Sequence, residues 1–407
     1  MSRQARTIAM PISSFLPNLG GAEVGLHNIA CKLIERGLRP VVMAPASHVR
    51  RLRGDGWRLP YELRALPPKA WTLLRRSLAL GFFVLDRYFA WMQARYQFDC
   101  WHCTMGYPTG VALVHFARKR ADIRYLIRCA GEDIQCDPEI GYGARLDPAI
   151  DRVVRDHLPK AQMLIAISDS VAEEYRAIGV PESRIRHVPN GVDLARFDGP
   201  LDADAVRRAH GLDPDSFVFL SVGRNHPKKN YAALIEATAR LAAETDRRFQ
   251  LLIVGGGVRD LAAQVERHGV AERVRLCDQI GGPDAAGGVP LLPSGELVAL
   301  YRSADAFVFP ALLETFGIAI VEAMAAGLPV IVGDSPGCRD VVRRGRDGLM
   351  VPARDPAALA SAMQALMDDP GMRRAYAEKA AVRAPDFSWD QVIDAYTALY
   401  DELSATR

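Results

Sequence analysis

The clearest pattern in the chain lies in residues 306–331, which have the sequence Ala306-Phe-Val-Phe-Pro-Ala-Leu-Leu-Glu-Thr-Phe-Gly-Ile-Ala-Ile-Val-Glu-Ala-Met-Ala-Ala-Gly-Leu-Pro-Val-Ile331. A short apolar run predicts a buried strand over 306–309, and a loop with Glu314 follows it. Helical spacing then predicts a helix that contains Glu322. Because this helix is apolar nearly all round, we expect it to be buried. A carboxylate there is costly unless it meets hydrogen-bond donors, and sugar hydroxyls are suitable donors.

The same alternation of short apolar runs and longer amphipathic stretches continues in both directions, as is typical of βα units in a parallel sheet. A chain of 407 residues is too long for one core, and the polar segment 198–215 has the composition of a linker followed by a short helix. We therefore predict two doubly wound α/β domains joined near residue 200. The predicted strands of the first domain are 7–12, 40–44, 100–104, 125–128 and 163–168, and segment 184–193 is predicted to be a strand that ends in a turn. Those of the second domain are 217–222, 250–254, 273–276, 306–309, 329–332 and 348–351.

Composition narrows the class of protein further. Apolar residues make up 49% and charged residues 24% of the chain, as in ordinary globular proteins. No apolar run has the length of a spanning helix, and the amino terminus lacks the pattern of a signal peptide. The seven cysteines, an odd number, favour free thiols over a disulfide framework. These features predict a cytoplasmic protein.

The small net charge of +3 conceals a strong asymmetry. Residues 1–130 contain 20 Lys/Arg and 7 Asp/Glu, a net charge of +13, so the remainder has a net charge of −10. Within the basic part, residues 67–98 interleave arginines with aromatic side chains, a composition that suits an anionic membrane surface. A helix pair buried against the sheet is the alternative. We predict a peripheral membrane contact here and no nucleic-acid partner.

Two glycines and two cations follow predicted strands at the ends where parallel sheets bind ligands. Gly20 and Gly21 precede a helix whose first amides can face an anion, although an ordinary strand-to-helix turn also favours glycine. Arg224 and Lys229 lie five residues apart beyond strand 217–222. Two such cations can clamp a diphosphate, and a solvated basic loop is the alternative.

At this point the chain resembles the retaining glycosyltransferases of family 4, which have the GT-B fold. The resemblance covers nearly the whole chain and is strongest over 160–405. It rests on the spacing of Glu314 and Glu322, and on several further segments: Gly20-Gly-Ala-Glu23, Ile167-Ser-Asp-Ser170, Val188-Pro-Asn-Gly-Val-Asp193, Val222-Gly-Arg224 with Lys229, and Glu322-Ala-Met-Ala-Ala-Gly-Leu-Pro329.

The resemblance implies two Rossmann-like domains that face each other across a cleft. The first, residues 1–198, would form the acceptor side and include a returning C-terminal helix over 388–407. The second, residues 199–387, would bind a nucleotide-diphosphate-sugar as co-substrate, with no further cofactor and no metal.

The resemblance also implies roles for individual residues. Arg224 and Lys229 would neutralise the diphosphate, and Glu322 would accept hydrogen bonds from the ribose. Glu314 would contact the transferred sugar. The segment Thr315, Phe316 and Gly317 would complete the donor site. The loop over 277–294 departs from the family pattern, because it is longer and richer in Gly and Pro than in most members. It lies near the expected base pocket, so the choice of nucleobase stays open.

The acceptor side has two main candidates, His102 and Asp133, and Arg128 and Glu132 are further residues that would line the acceptor pocket. His102 lies on a predicted strand and would contact the donor sugar, but a structural histidine is the alternative. Asp133 follows the next strand and would line the acceptor pocket, with a turn or helix-capping carboxylate as the alternative.

We therefore predict a retaining, metal-independent glycosyltransferase that acts on a glycolipid or a surface-polysaccharide or lipopolysaccharide precursor. A small soluble acceptor, or a GT-B epimerase or hydrolase, is the alternative. A non-catalytic GT-B subunit is less favoured because Glu314, Glu322, Arg224 and Lys229 are all present. A nicotinamide-dependent dehydrogenase is also less favoured. Its G-x-G-x-x-G pattern has its nearest match in Gly255-Gly-Gly-Val-Arg-Asp260, which lacks the third glycine.

Overall fold

The computed structural model describes residues 5–281 and 292–405. The chain forms two compact units. The first contains the residues up to Asn190 and the C-terminal residues from Trp389, and the second contains Gly191–Gly281 and Pro293–Ser388. The predicted boundary after residue 198 thus lies inside the second unit. Most of the unusual loop 277–294 is outside the described residues.

The first unit is built on a seven-stranded sheet in which every strand pair is parallel. The strand order is β3-β2-β1-β4-β5-β6-β7. The strands are β1 (Thr7–Pro11), β2 (Arg39–Pro45), β3 (Glu62–Leu66), β4 (Cys100–Thr104), β5 (Tyr125–Arg128), β6 (Leu164–Ala166) and β7 (Ile185–His187). The helices between them are α1 (Gly21–Glu35), α2 (Ala46–Gly54), α3 (Ala70–Arg76), α4 (Leu78–Tyr96), α5 (Val111–Ala117), α6 (Pro148–His157) and α7 (Asp169–Ala177).

The second unit has a six-stranded parallel sheet in the order β10-β9-β8-β11-β12-β13. Its strands are β8 (Phe217–Val222), β9 (Phe249–Val254), β10 (Val274–Cys277), β11 (Ala306–Phe309), β12 (Val330–Asp334) and β13 (Leu349–Pro352). Its helices are α8 (Ala203–Ala209), α9 (Tyr231–Glu244), α10 (Ala262–Arg267), α11 (Gly295–Ser303), α12 (Ile318–Ala325), α13 (Cys338–Val341), α14 (Pro356–Asp368) and α15 (Pro370–Arg383).

The last helix, α16 (Trp389–Ala405), belongs to the first unit. Its apolar side chains join the core formed around β1 and α1. Two ion pairs also connect it to α1, from Arg36 to Asp390 at 2.9 Å and to Asp394 at 2.8 Å. The predicted return of the C-terminal helix to the first domain is therefore confirmed.

Each sheet reverses its strand order at one point, between β1 and β4 in the first unit and between β8 and β11 in the second. At such a point the loops leave neighbouring strands toward opposite faces of the sheet, and the crevice between them is where doubly wound domains bind ligands. The loops that follow these four strands therefore define the candidate site in each unit.

Segment 67–98, for which a membrane contact and a buried helix pair were the alternatives, forms α3 and the longer helix α4. One side of the helix is buried in the first unit and includes Phe82, Leu85 and Phe89. The other side is exposed, with Phe83 61% and Trp91 54% accessible. The segment is thus packed on one face and open on the other. In the part of the chain that the structure describes, no helix is both long and apolar enough to cross a membrane.

Candidate functional site

The candidate site of the second unit lies where the loops after β8 and β11 meet. The backbone N–H of Leu312 donates to the carbonyl oxygen of Lys228 at 2.7 Å, which ties the two loops together. The loop after β12 supports them, since the N–H of Glu314 donates to the carbonyl oxygen of Pro336 at 3.0 Å. Three strand-end loops therefore hold Glu314 in place.

The centre of this site is a carboxylate shared by two lysines. Lys229 Nζ lies 2.5 Å from Glu314 Oε1, and Lys228 Nζ lies 3.5 Å from the same oxygen. Glu314 is 6% exposed. Burial by itself would raise the pKa of Glu314, but the two lysine charges outweigh burial and lower that pKa to about 2. Glu314 is therefore ionised at neutral pH.

The lysines outnumber the carboxylate, so the loop keeps a positive charge. Burial lowers the pKa of Lys229 in spite of the attraction to Glu314. The ammonium group of Lys229 also lies 4.4 Å from the centre of the Phe309 ring, where a cation is favoured. Arg224 is exposed at the start of the same loop. These cations are suited to an anionic ligand such as a diphosphate.

A glycine makes the close packing behind Glu314 possible. Gly337 has φ +78°, and a Cβ atom added there would lie 2.3 Å from the carbonyl oxygen of Glu314. No side chain fits at that distance. The turn that begins with Gly337 thus supports the backbone of Glu314. The short helix α13, which includes Asp340, follows Gly337.

The segment between Glu314 and α12 follows the predicted order. Thr315 and Phe316 are buried. Gly317, at φ +84°, is the residue that precedes the helix. The placement of these residues at the start of α12 is as expected, while their contact with a phosphate or sugar stays a prediction.

Glu322 lies on α12 in surroundings that differ from those of Glu314. The hydroxyl of Tyr301 donates to Glu322 Oε2 at 2.8 Å. Burial raises the pKa of Glu322 to about 7, while the Tyr301 bond and the charge of Arg196 oppose this effect. With one hydroxyl donor and no adjacent lysine, this carboxyl group changes its charge near neutral pH.

Lys228 and Tyr301 contact the two carboxylates of the candidate site, and neither was predicted from the sequence. Lys228 could have been found from the sequence, because it is adjacent to Lys229 in the same basic loop. Tyr301 precedes Glu322 by 21 residues and lies on a different helix, α11. No local pattern connects the two residues.

In the first unit, Gly20 and Gly21 lie at the start of α1, as predicted. Glu23, in the first turn of that helix, folds back toward them. A Cβ atom added to Gly20 would lie 2.4 Å from Glu23 Oε2. The carboxylate of Glu23 therefore occupies the space beside the glycine. Anion binding at these amides stays a prediction.

His102 is fully buried on β4, between the sheet and α16. Its Nδ1 lies 2.7 Å from the hydroxyl of Tyr400, and its ring lies 4.7 Å from that of Tyr396. Burial, with a smaller effect of Arg128, lowers the pKa of His102 to about 3. These contacts engage Nδ1, whereas Nε2 is buried and has no hydrogen-bond partner among the described residues. A role in donor or acceptor binding stays a prediction.

Asp133 is 2% exposed and accepts hydrogen bonds from three backbone amides. The N–H of Gly106 donates to its Oδ2 at 2.6 Å, and those of Gly131 and Ala130 donate to its Oδ1 at 2.7 and 3.1 Å. Asp133 therefore connects its own turn to the loop after β4. These contacts match the turn carboxylate that was the alternative to an acceptor-site residue.

Groups of three or more His, Cys, Asp or Glu side chains that could hold a metal ion are absent from residues 5–281 and 292–405. The cysteines are all free thiols.

Two Rossmann-like parallel sheets, with a cation-rich strand-end site in the second, define the GT-B class of glycosyltransferases. Residues 202–383 match the family Glycosyl transferases group 1, and residues 19–196 match Glycosyltransferase Family 4. The chain belongs to glycosyltransferase family 4.

The curated relatives agree with this family. A D-inositol 3-phosphate glycosyltransferase of Acidothermus cellulolyticus is 32% identical over 73% of this chain and 63% of its own length. D-inositol 3-phosphate glycosyltransferase 2 of Catenulispora acidiphila is 33% identical over 73% of this chain and 68% of its own length. The chain thus spans somewhat less than two thirds of the first of these relatives.

Solved structures show the same fold. The protein HepE of Anabaena, crystallised with UDP and glucose, has a TM-score of 0.74. The superposition includes 98% of this chain and 100% of the HepE chain, with 20% sequence identity. At this identity the similarity concerns the fold, which confirms the predicted GT-B architecture.

Proposed function

We propose that this protein transfers a sugar from a nucleotide-diphosphate-sugar to an acceptor hydroxyl, with retention of anomeric configuration. The observation that carries the proposal is the pair of lysines around Glu314 at the point where the second sheet reverses its strand order. In this position a surplus of positive charge faces the crevice where doubly wound domains bind nucleotides.

The donor would be held by residues of the second unit. Arg224 and Lys229, assisted by Lys228, would stabilise the diphosphate. Glu314 would accept hydrogen bonds from the transferred sugar, which suits its ionised state. Glu322 would accept from the ribose hydroxyls.

The reaction itself would need no metal ion, because cations of the protein stabilise the negative charge that develops on the departing diphosphate. The acceptor oxygen forms a bond to the anomeric carbon on the face from which the diphosphate leaves. The bond between that carbon and the diphosphate oxygen breaks, and this oxygen takes the acceptor proton. Such front-face attack retains the configuration without a covalent enzyme intermediate.

We propose uridine diphosphate as the nucleotide, because a structure with the same fold was crystallised with UDP. A thermal-shift panel of UDP, GDP and ADP tests this choice, since a ligand at 100 times its Kd stabilises the folded protein by about 2.7 kcal/mol. We expect UDP to give the largest shift. A larger shift with GDP or ADP would overturn the choice of base without affecting the proposed reaction.

A pair of variants tests the roles of the two carboxylates. Glu322→Gln should weaken UDP binding, whereas Glu314→Gln should leave UDP affinity nearly unchanged and reduce sugar transfer. Isothermal titration with UDP and a transfer assay would measure these effects. Equal losses of UDP affinity in both variants would show that the roles are assigned wrongly.

For the acceptor we favour a small phosphorylated polyol. Relatives at 32–33% identity are named as D-inositol 3-phosphate glycosyltransferases, and the net charge of +13 over residues 1–130 would attract a phosphate group. Release of UDP should therefore be faster with inositol 3-phosphate than with inositol. A product that contains the donor sugar distinguishes transfer from epimerisation or hydrolysis.

A lipid-linked saccharide, such as a precursor of a glycolipid or surface polysaccharide, is the second candidate acceptor. The exposed aromatic and basic side chains of α4 favour it, since they suit a lipid surface. Sugar transfer to a lipid extract that exceeds transfer to inositol 3-phosphate would support this candidate. The cytoplasmic location expected from the sequence stays a prediction.

A further inference from the structure

The exposed side of α4 forms a continuous stripe, which we call the α4 outer face and define as Leu80, Phe83, Arg87, Trp91 and Arg95. These residues follow one another at intervals of three or four, which places them on one side of an α-helix. All five are exposed. The opposite side of the helix is buried in the first unit.

The apolar part of this stripe is unusual for a surface. Six large apolar side chains are exposed among the described residues. Four of the six belong to α4: Leu78, Leu80, Phe83 and Trp91. Leu80 is 47% exposed. Single exposed apolar residues are common, but a concentration of them on one face is typical of an interaction surface.

The charges of the stripe have one sign. Arg87 and Arg95 lie among the apolar residues, and the Arg87 guanidinium lies 5.9 Å from the centre of the Phe83 ring. Arg75 and Arg76 are exposed at the end of the preceding helix α3.

The acidic residue of this segment lies away from the stripe. Asp86, the one Asp or Glu in residues 67–98, lies 3.9 Å from His115 Nε2 and 4.0 Å from Arg120 Nη1. These neighbours are outside α4, so the carboxylate is directed toward the protein. Within residues 67–98, therefore, the α4 outer face has no acidic group to offset its arginines.

We propose that the α4 outer face docks on an anionic lipid surface. Leucine, phenylalanine and tryptophan side chains would enter the boundary between headgroups and acyl chains, and the arginines would pair with lipid phosphates. A second copy of the same chain fits less well. Two identical faces in a symmetric dimer would bring arginines against arginines, which is unfavourable in an apolar contact.

This inference goes beyond the proposed reaction, because it concerns where the first unit binds and not which sugar is transferred. The two can fail separately. The proposed function assigns nucleotide binding to the second unit, so UDP affinity reports on the reaction site while vesicle binding reports on the α4 outer face.

The test is co-sedimentation of the full chain with vesicles of phosphatidylcholine alone or with 30% phosphatidylglycerol. We expect binding to the anionic vesicles at low salt and a loss of binding as salt rises, because the Debye length shortens. Removing one arginine near the surface should reduce partitioning about fivefold, so Arg87→Gln with Arg95→Gln should reduce it roughly 25-fold. Phe83→Ser with Trp91→Ser should reduce it by at least tenfold.

Matched controls separate docking from general effects of charge and hydrophobicity. Arg267→Gln and Val382→Ser remove an exposed arginine and an exposed apolar residue from the second unit, and neither should change vesicle binding. Each variant should show the UDP-induced thermal shift of the unmodified protein, which demonstrates that it is folded.

Tryptophan fluorescence identifies the residue that enters the lipid. A blue shift on vesicle binding should disappear in Trp91→Phe and persist in Trp71→Phe, because Trp71 is only partly exposed. The proposal is overturned if the protein ignores anionic vesicles at low salt, or if the controls lose binding as strongly as the α4 variants. A dimer in sedimentation velocity that Phe83→Ser with Trp91→Ser dissociates would assign the face to a second copy instead.

Discussion

The carboxyl ends of the two sheets have the same topology and use their polar residues differently. In the second unit, Lys228 and Lys229 share the single carboxylate of Glu314, and Arg224 is exposed beside them. In the first unit, the carboxylate of Asp133 is occupied by three backbone amides. The first of these strand-end sites keeps a surplus of positive charge, and the second uses its carboxylate to hold loops together.

The comparison shows that a polar residue at a strand end is not by itself a ligand-binding residue. What matters is whether its hydrogen-bonding capacity is already satisfied inside the protein. Four changes would sharpen or break this contrast.

The largest effect is expected for Lys229→Met. The substitution would leave the buried Glu314 carboxylate with Lys228 at 3.5 Å as its remaining cation. Because breaking a buried ion pair on one side leaves a charge poorly compensated, we expect the free energy of unfolding to fall by about 3–5 kcal/mol. Urea denaturation followed by circular dichroism measures it. Lys379→Met, at an exposed lysine, is the control and should change it by less than about 0.5 kcal/mol.

The second effect depends on pH and concerns Glu322→Gln. The pKa of Glu322 is raised from 4.5 to about 7 in the folded protein. The stability that this group contributes is therefore complete below about pH 4.5 and is lost as pH rises through about 7. Since one pKa unit corresponds to about 1.4 kcal/mol, the loss amounts to roughly 3 kcal/mol.

The unmodified protein should lose stability as pH rises from 5 to 8, because Glu322 ionises. Glutamine does not ionise, so the stability of Glu322→Gln relative to the unmodified protein should be higher at pH 8 than at pH 5. Urea denaturation at both pH values measures the difference. Glu314 stays ionised over this range, because its pKa is about 2. A difference that is the same at pH 5 and pH 8 would refute the assignment of a raised pKa to Glu322.

A third, smaller effect is expected for Asp133→Asn in the first unit. The amide group of asparagine has one oxygen to accept hydrogen bonds, whereas the carboxylate accepts from Gly106, Ala130 and Gly131. We expect a loss of about 2 kcal/mol in unfolding free energy, with the UDP affinity unchanged. Unchanged stability together with a large loss of sugar transfer would instead place Asp133 in the acceptor site.

The smallest effect on the fold is expected for Arg224→Ala. The side chain is exposed, so the free energy of unfolding should change by less than about 0.5 kcal/mol. The affinity for UDP should fall by about 1.5–3 kcal/mol, that is, at least tenfold, because a charge-assisted contact to the diphosphate is lost. Titration calorimetry measures it, with Arg267→Ala as the matched control. Equal UDP affinities in the two variants would remove Arg224 from the diphosphate site.

Most of the architecture was predictable from local pattern. Strands β4, β5, β8 and β11 have the predicted bounds, because each is a short apolar run with a clear end. Strand β3, Glu62–Leu66, was missed. This strand lies at the edge of its sheet. Leu66 is its one buried side chain. An edge strand of this kind lacks the continuous apolar run that marks the central strands of a parallel sheet.

The site was predictable in part. Arg224, Lys229, Glu314 and Glu322 could be named because they follow strands or lie within an apolar helix, and the family resemblance supplied their proposed roles. The sequence could not show which of them are paired. It also gave His102 and Asp133 two alternatives each, since the burial of a residue depends on the segments that pack over it.

The sequence by itself determined two parallel α/β sheets and the kinds of side chain at the ends of their strands, because periodicity and turn chemistry involve neighbouring residues. Only the tertiary structure decided which charges are compensated. Lys229 and Glu314 are 85 residues apart, and His102 and Tyr400 are 298 residues apart. Whether a polar group is left for a ligand depends on burial and on such distant partners, and both arise only when the chain is packed.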